Sequence, residues 1–333
     1  MVPKFEQIVG HKRIKEHLEN AMKLDKISHA YIFNGEKGSG KKLLAAAFAQ
    51  SLQCEGEGIL GCGECKSCKQ AENKNNPDII RIIHEKPNII GADEVKEQLV
   101  NDIQIKPYRC KYKIYIINDA EKMTPQAQNA ILKTIEEPPE YVIVLLLTSN
   151  AQALLSTIMS RCVMLSTKPV SDEQVKDYLM KNVRVPDYQA DISVAFAQGN
   201  IGKAVELASS DSFGEIKASA IHLLKNIPMM NLQEMIGLIK AVSEFKVEID
   251  DYLNLMAVWY RDVLYFKATK DVNGLTFKEE INEISKQTKK GPYEGVENIL
   301  KALQTAKERL KANVNFDLTM ELLFLAIKEN LGE

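Results

Sequence analysis

The octapeptide Gly35-Glu36-Lys37-Gly38-Ser39-Gly40-Lys41-Lys42 follows the apolar run Ala30-Tyr31-Ile32-Phe33 and opens the helical stretch from Lys41 to Leu52. A strand, a glycine-rich turn and a helix in that order make a phosphate loop. The glycines let backbone N–H groups curl around an anion, and the helix N-terminus adds its positive field. Lys41 stands where the loop's lysine reaches the β and γ oxygens of a nucleotide. The next residue should carry the hydroxyl that ligates magnesium, and Lys42 takes its place. An ammonium cannot coordinate a cation and repels one. A glycine-rich turn with a chance lysine is the bland alternative; the flanking strand and helix favour an altered phosphate loop.

Working outward, Ile79 to Ile83, Ile114-Tyr115-Ile116-Ile117 and Val142 to Leu147 read as further buried strands. Between them, Asp93 to Ile103 and Pro125 to Ile135 have helical spacing. Strands alternating with helices imply a parallel sheet covered on both faces. After Lys168-Pro169 strand-like runs cease. Ser171 to Lys181 and Asp187 to Ala197 are amphipathic, the turn Gly199-Asn200-Ile201-Gly202 interrupts, and long helical patterns run on from about Asp211. Breaks fall near Pro228, Asn273-Gly274 and Gly291-Pro292. The expected organisation is an α/β domain over 1–168, a small helical module over 169–209 and a helical C-terminal domain over 210–333. A chain of 333 residues exceeds what one core normally supports, in keeping with several domains.

The partner of a phosphate loop is a buried strand ending in two acids, one holding magnesium and one orienting the attacking water. Ile114 to Ile117 is followed by Asn118-Asp119-Ala120-Glu121. The first acid is the neutral Asn118. The second is Asp119, about one methylene shorter than a glutamate, where catalysis tolerates misplacement of only ~0.5 Å. With Lys42, these residues predict a chain that does not hydrolyse ATP by itself. Lys37, Lys41 and Lys42 keep the loop positive, Glu36 offsetting part, so phosphate binding without metal stays open. His11 and His29 could line a nucleotide pocket, or lie on a helix surface and a strand edge.

Four of the six cysteines fall within fifteen residues as Cys54, Cys62, Cys65 and Cys68. Two overlapping C-x-x-C turns plus a cysteine at the end of the preceding helix can close a tetrahedral four-thiolate site, which suits structural zinc. An iron–sulfur cluster and a disulfide pair are the weaker readings. Cys110 and Cys162 stand apart as small buried or loop residues.

The formal charge of −2 argues against a wholly basic nucleic-acid binder. The start lacks the apolar core of a signal peptide and Val142 to Leu147 is too short to span a bilayer, so a cytoplasmic protein is expected. Trp259, Tyr260, Tyr265 and Phe266 lie at helical spacing within an apolar helix and read as packing rather than a base-stacking platform. Lys286, Lys289 and Lys290 read as a solvated face.

Together, the phosphate loop, the four-cysteine insertion, Lys106-Pro107-Tyr108, Lys113 to Met123 and the run Ala130-Ile131-Leu132-Lys133-Thr134-Ile135-Glu136-Glu137-Pro138-Pro139 resemble the AAA+ domain of bacterial clamp-loader subunits. Ser160-Arg161-Cys162 is similar to that family's Ser-Arg-Cys motif, and Arg309-Leu310 with Asn313-Val314-Asn315 to its collar signature. The resemblance spans essentially the whole chain. It implies an α/β P-loop AAA+ domain, a helical lid and an all-α collar. In that family the γ/τ subunits hydrolyse ATP and carry an arginine in a Gly-x-x-Arg turn of the lid; here Gly202 stands at that point. All departures point away from the motors, toward a non-hydrolysing class. The resemblance further implies that Arg161 projects into a neighbour's ATP site and that Thr148 or Asn150, unless simple turn formers, supply a polar sensor. The implied partners are γ/τ and δ subunits, with the sliding clamp and primed DNA met through the complex. It also implies membership of the DNA polymerase III holoenzyme, with magnesium not expected. An active ATPase tolerating Lys42 and Asn118, and a zinc-containing nucleic-acid-binding scaffold, are the competing readings.

Overall fold

The computed structural model describes residues 4–331 apart from Glu57, Val247 and Asn313. Two compact units make up the chain, Met1–Val175 with Gly199–Lys203, and Lys176–Gln198 with Ala204–Glu333.

In the first unit, α1 (Lys12–Lys23) precedes β1 (Ala30–Asn34), α2 (Lys41–Leu52), α3 (Lys66–Glu72), β2 (Ile79–Arg81) and the single turn α4 (Ala92–Val95). Then follow β3 (Lys113–Ile117), α5 (Pro125–Glu136), β4 (Val142–Thr148), the short α6 (Ser156–Met159) and β5 (Val163–Ser166). All five strands are parallel, in the order β2-β3-β4-β1-β5. Because strand side chains alternate faces, each central strand feeds two cores. Tyr31, Phe33, Ile114, Ile116, Ile143, Leu145 and Leu147 pack with Leu18 of α1 and Leu44 and Phe48 of α2. On the other face, Ile32, Tyr115, Ile117, Val142, Val144 and Leu146 pack with Val95, Ile131 and Ile158. That double burial explains why β4 reads as an unbroken apolar run.

The strands expected from sequence are present, β2 being shorter at Ile79–Arg81. Beyond it Gln98 brackets Ile83, its Oε1 accepting the Ile83 amide at 2.9 Å and its Nε2 donating to the carbonyl at 2.7 Å. The Asp93 to Ile103 stretch is helical but irregular, passing from α4 through a wide turn (Lys96–Val100) to a 3₁₀ turn (Asp102–Gln104). Strand β5 had no forecast. It pairs only with β1 and buries one of its four residues, so its sequence carries little apolar signal.

Two buried charged side chains in this unit are each held by three partners. The Lys113 amine bonds Asp102 Oδ2 at 2.7 Å and two carbonyls of that turn. Asp78, fully buried, accepts the amides of Tyr108 at 2.7 Å, Arg109 at 3.0 Å and Cys110 at 3.3 Å.

The second unit is helical among the described residues. Helices α7 (Asp172–Tyr178) and α9 (Ile201–Ser209) each straddle the division, and α8 (Asp187–Ala197) lies between them. They are followed by α10 (Asp211–Asn226), α11 (Leu232–Ser243), α12 (Ile249–Thr269), α13 (Ile281–Lys290), α14 (Tyr293–Lys311) and α15 (Phe316–Leu331). One core joins Leu223, Met256, Trp259, Ile299 and Phe324. Trp259 and Tyr260 are fully buried, with the indole N–H on Gln287 Oε1 at 2.9 Å. Both therefore pack, as read from sequence, and Lys286, Lys289 and Lys290 are exposed. Asn315 caps α15 by accepting the Leu318 amide at 3.0 Å; Asn313 of the same motif lies outside the described residues.

Replacing Asp78 by Ala removes both acceptor oxygens from three backbone donors and should cost about 3 kcal/mol or more, read as a lower urea midpoint. Asp78→Asn, which keeps one acceptor oxygen, should lose less.

Candidate functional site

Strand β1 lies between β4 and β5, and β4 separates it from β3. The loops leaving β1, β3 and β4 thus emerge side by side at the carboxyl edge, where open α/β sheets bind ligands. Residues 35–42, 118–121 and 148–150 are brought together there.

The glycine-rich loop is held from several sides. Gly38 and Gly40 have φ of 84° and 90°, which a side chain would strain. His11 Nε2 donates to the Ser39 carbonyl at 2.8 Å, and burial holds this imidazole below its ordinary pKa, hence neutral at pH 7. Thr167 Oγ1 bonds Ser39 Oγ at 3.1 Å. Lys41, 5% exposed, donates to the carbonyls of Gly35 at 2.8 Å and Glu36 at 3.1 Å. Burial draws its amine below the usual lysine range, with Glu121 and Asp119 offsetting part.

The turn 199–203 closes on the same loop. Gly202 N donates to Gly38 O at 3.0 Å, and Asn200 Nδ2 donates to Lys37 O at 2.8 Å while its Oδ1 accepts Lys203 N at 3.1 Å. A Cβ on Gly202 would lie 2.5 Å from Gly38 Cα and 2.6 Å from its carbonyl oxygen. A side chain at 202, arginine included, requires the turn to move off the loop.

At the helix end of the loop, Lys42 and Asp119 come close to one another. Lys42 Nζ lies 3.8 Å from Asp119 Oδ1, and Lys122 Nζ is 3.8 Å from Asp119 Oδ2. Asp119 is left-handed, with φ of 50°, in the turn that follows β3. Ammonium groups thus stand on both sides of this carboxylate. Sequence reasoning gave Glu121 no role. It accepts the Ser149 hydroxyl and, at 3.3 Å, the Ser149 amide. Burial raises its pKa, and these bonds outweigh that and hold it below the ordinary range. Thr148 Oγ1 accepts the Asn150 amide at 3.0 Å and Asn150 Oδ1 accepts that of Gln152 at 3.1 Å, both turn-forming contacts. His29 is exposed.

Arg161 is not part of this constellation. It follows α6, with Nη2 3.1 Å from Glu136 Oε1 and Nη1 on Thr157 O at 3.1 Å and Ser160 Oγ at 3.3 Å. Its side chain stays 41% exposed.

The cysteines do converge. Ligand atoms of Cys54, Cys62, Cys65 and Cys68 all lie within 4.8 Å of one another. Backbone amides point at their sulfurs: Gly56 and Cys62 at Cys54 Sγ, Glu64 and Cys65 at Cys62 Sγ, and Cys68 at Cys65 Sγ, at 3.3–3.4 Å. The two amides bring the Cys62 thiol down to about 6, while burial pushes Cys68 up. Four thiols with amides aimed at the sulfurs fit a single metal ion. Cys110 touches Ser67 Oγ at 3.6 Å and Gln53 O at 3.5 Å, outside this set.

The family model "DNA polymerase III, delta subunit" matches residues 10–171, and its C-terminal counterpart matches residues 221–329. DNA polymerase III subunit delta' of Bacillus subtilis is 30% identical over 321 residues, 95% of this chain and 96% of the relative. The chain belongs to the δ′ family of DNA polymerase III clamp-loader subunits. Subunit tau of Bacillus subtilis is 27% identical over 92% of this chain and 58% of its own length. A gamma-subunit-related protein from Thermotoga maritima superposes with a TM-score of 0.44 at 20% identity, covering 94% of this chain and 99% of that one. The expectation of a parallel α/β domain followed by helices is met. No helix among the described residues is long and apolar enough to cross a membrane.

Metal analysis of the purified chain should find one equivalent per chain, and Cys65→Ser should abolish it. Substoichiometric metal unchanged by that substitution would rule out a four-thiolate site.

Proposed function

We propose that this clamp-loader subunit is a stator that does not hydrolyse ATP and that lends Arg161 to a neighbouring subunit's ATP site. The Lys42–Asp119 pair carries the reading. It sets an ammonium beside the carboxylate, where a hydroxyl and a free acid would be needed to hold a divalent cation at the nucleotide phosphates. Asn118 supplies no compensating charge. Lys41, Gly35, Gly38 and Gly40 keep the form of a phosphate loop but bond within the chain. Arginine supplied across an interface stabilises charge developing on the transferred phosphoryl group, a contribution worth ~10³–10⁵ in rate in other NTPases. The half-exposed Arg161, lying apart from this chain's own loop, is suited to that work.

In this reading residues 169–209 form the lid and 210–333 the collar that joins γ/τ and δ subunits. The sliding clamp and primed DNA are engaged through the assembled complex, in the cytoplasm. The four-cysteine site holds zinc, since all four positions are filled by protein thiolates and leave no open coordination position, as in structural zinc sites. It pins the insertion between α2 and β2.

Two measurements test the proposal. The purified chain should show ATP turnover at background with magnesium present; sustained magnesium-dependent hydrolysis sinks the stator role. In a complex reconstituted with the motor subunits, Arg161→Ala should lower ATPase by about 10³-fold, and an unchanged rate would remove the finger.

A further inference from the structure

Glu136 is the last residue of α5, an end of the helix where the macrodipole disfavours an acid. Its carboxylate lies 3.1 Å from Arg161 Nη2, and the other end of the same guanidinium is fastened to Thr157 O and Ser160 Oγ. The side chains are 43% and 41% exposed. An ion pair so open to solvent contributes little to stability, so stability does not account for an acid at an unfavourable helix end. What the pair does is restrict Arg161. A free arginine loses rotamer freedom when it is fixed, a cost that an already ordered side chain does not meet at docking.

We infer that Glu136 is a positioning residue for Arg161, holding the guanidinium in one orientation so that it enters the neighbour's site already aimed. The inference rests on the reading of Arg161 as a finger. A guanidinium carries five N–H donors, and three anchoring contacts leave two for a phosphoryl oxygen. Glu136 therefore need not release Arg161 for it to act. Misplacement by about 1 Å can cost up to 10²-fold in rate, which sets the scale of the effect.

The experiment uses complexes reconstituted from the full chain and its motor partners, isolated by size so that each rate is per assembled complex. ATPase is compared for the unaltered chain, Glu136→Gln, Glu136→Asp, Glu137→Gln and Arg161→Ala. Glu136→Gln should lower kcat between about 10- and 100-fold at unchanged KM for ATP. Glu136→Asp should fall between it and the unaltered chain, and Glu137→Gln should match the unaltered chain. The isolated Glu136→Gln chain should keep its Tm within about 1 °C, since an exposed pair is lost. A fast Glu136→Gln complex alongside a slow Arg161→Ala complex overturns the positioning role and leaves the finger standing. So does a higher rate, which would make the pair a restraint that docking must break. An equal loss in Glu137→Gln overturns it as well, by showing a general effect of charge at the helix end. An Arg161→Ala complex with full activity removes the finger and the positioning role together.

Discussion

A parallel sheet buried on both faces is the constraint on which the first unit depends. Each central strand must feed apolar side chains to two cores, so every crossover has to pass over a face and every loop has to leave from an edge. With β1 placed between β4 and β5, and β4 next to β3, the carboxyl ends of β1, β3 and β4 are neighbours. The glycine loop, Asn118-Asp119 and Thr148 are then brought together whatever their chemistry. Function can be lost from such a site while its architecture persists, because the sheet rather than a ligand holds it.

At the altered site each substitution answers another. Lys42 would be an uncompensated cation beside Lys41 without Asp119, and Asp119 would lack a counter-charge without Lys42 and Lys122. Gly202 has an equally local reason to be a glycine. The turn approaches Gly38 so closely that the amide of one glycine meets the carbonyl of the other, and a Cβ would part them.

The cysteine site and Arg161 draw on different physics. Four sulfurs converge because tight turns aim backbone amides at them, a local arrangement written in the spacing. Arg161 depends on a carboxylate 25 positions earlier, met only because α5 and α6 pack on the same face of the sheet.

Much of this was legible in the residues themselves. The strand–glycine loop–helix order, the apolar runs at β3 and β4 and the C-x-x-C spacing are short-range patterns set by backbone sterics, burial period and metal geometry, so one sequence suffices to read them. Strand β5 escaped because an edge strand with one buried residue has no distinctive period, and the Asp93 to Ile103 helix proved irregular because spacing constrains a buried face more than the hydrogen-bond ladder behind it. Residue order alone supplies the fold class and shows a lysine at 42 and an amide at 118. Only the tertiary structure decided that Lys42 pairs with Asp119, that Gly202 rests on Gly38, that His11 braces the loop and that Glu136 meets Arg161. Each of those contacts joins residues 25 or more positions apart, and such pairings are fixed by how layers pack, which no local pattern encodes.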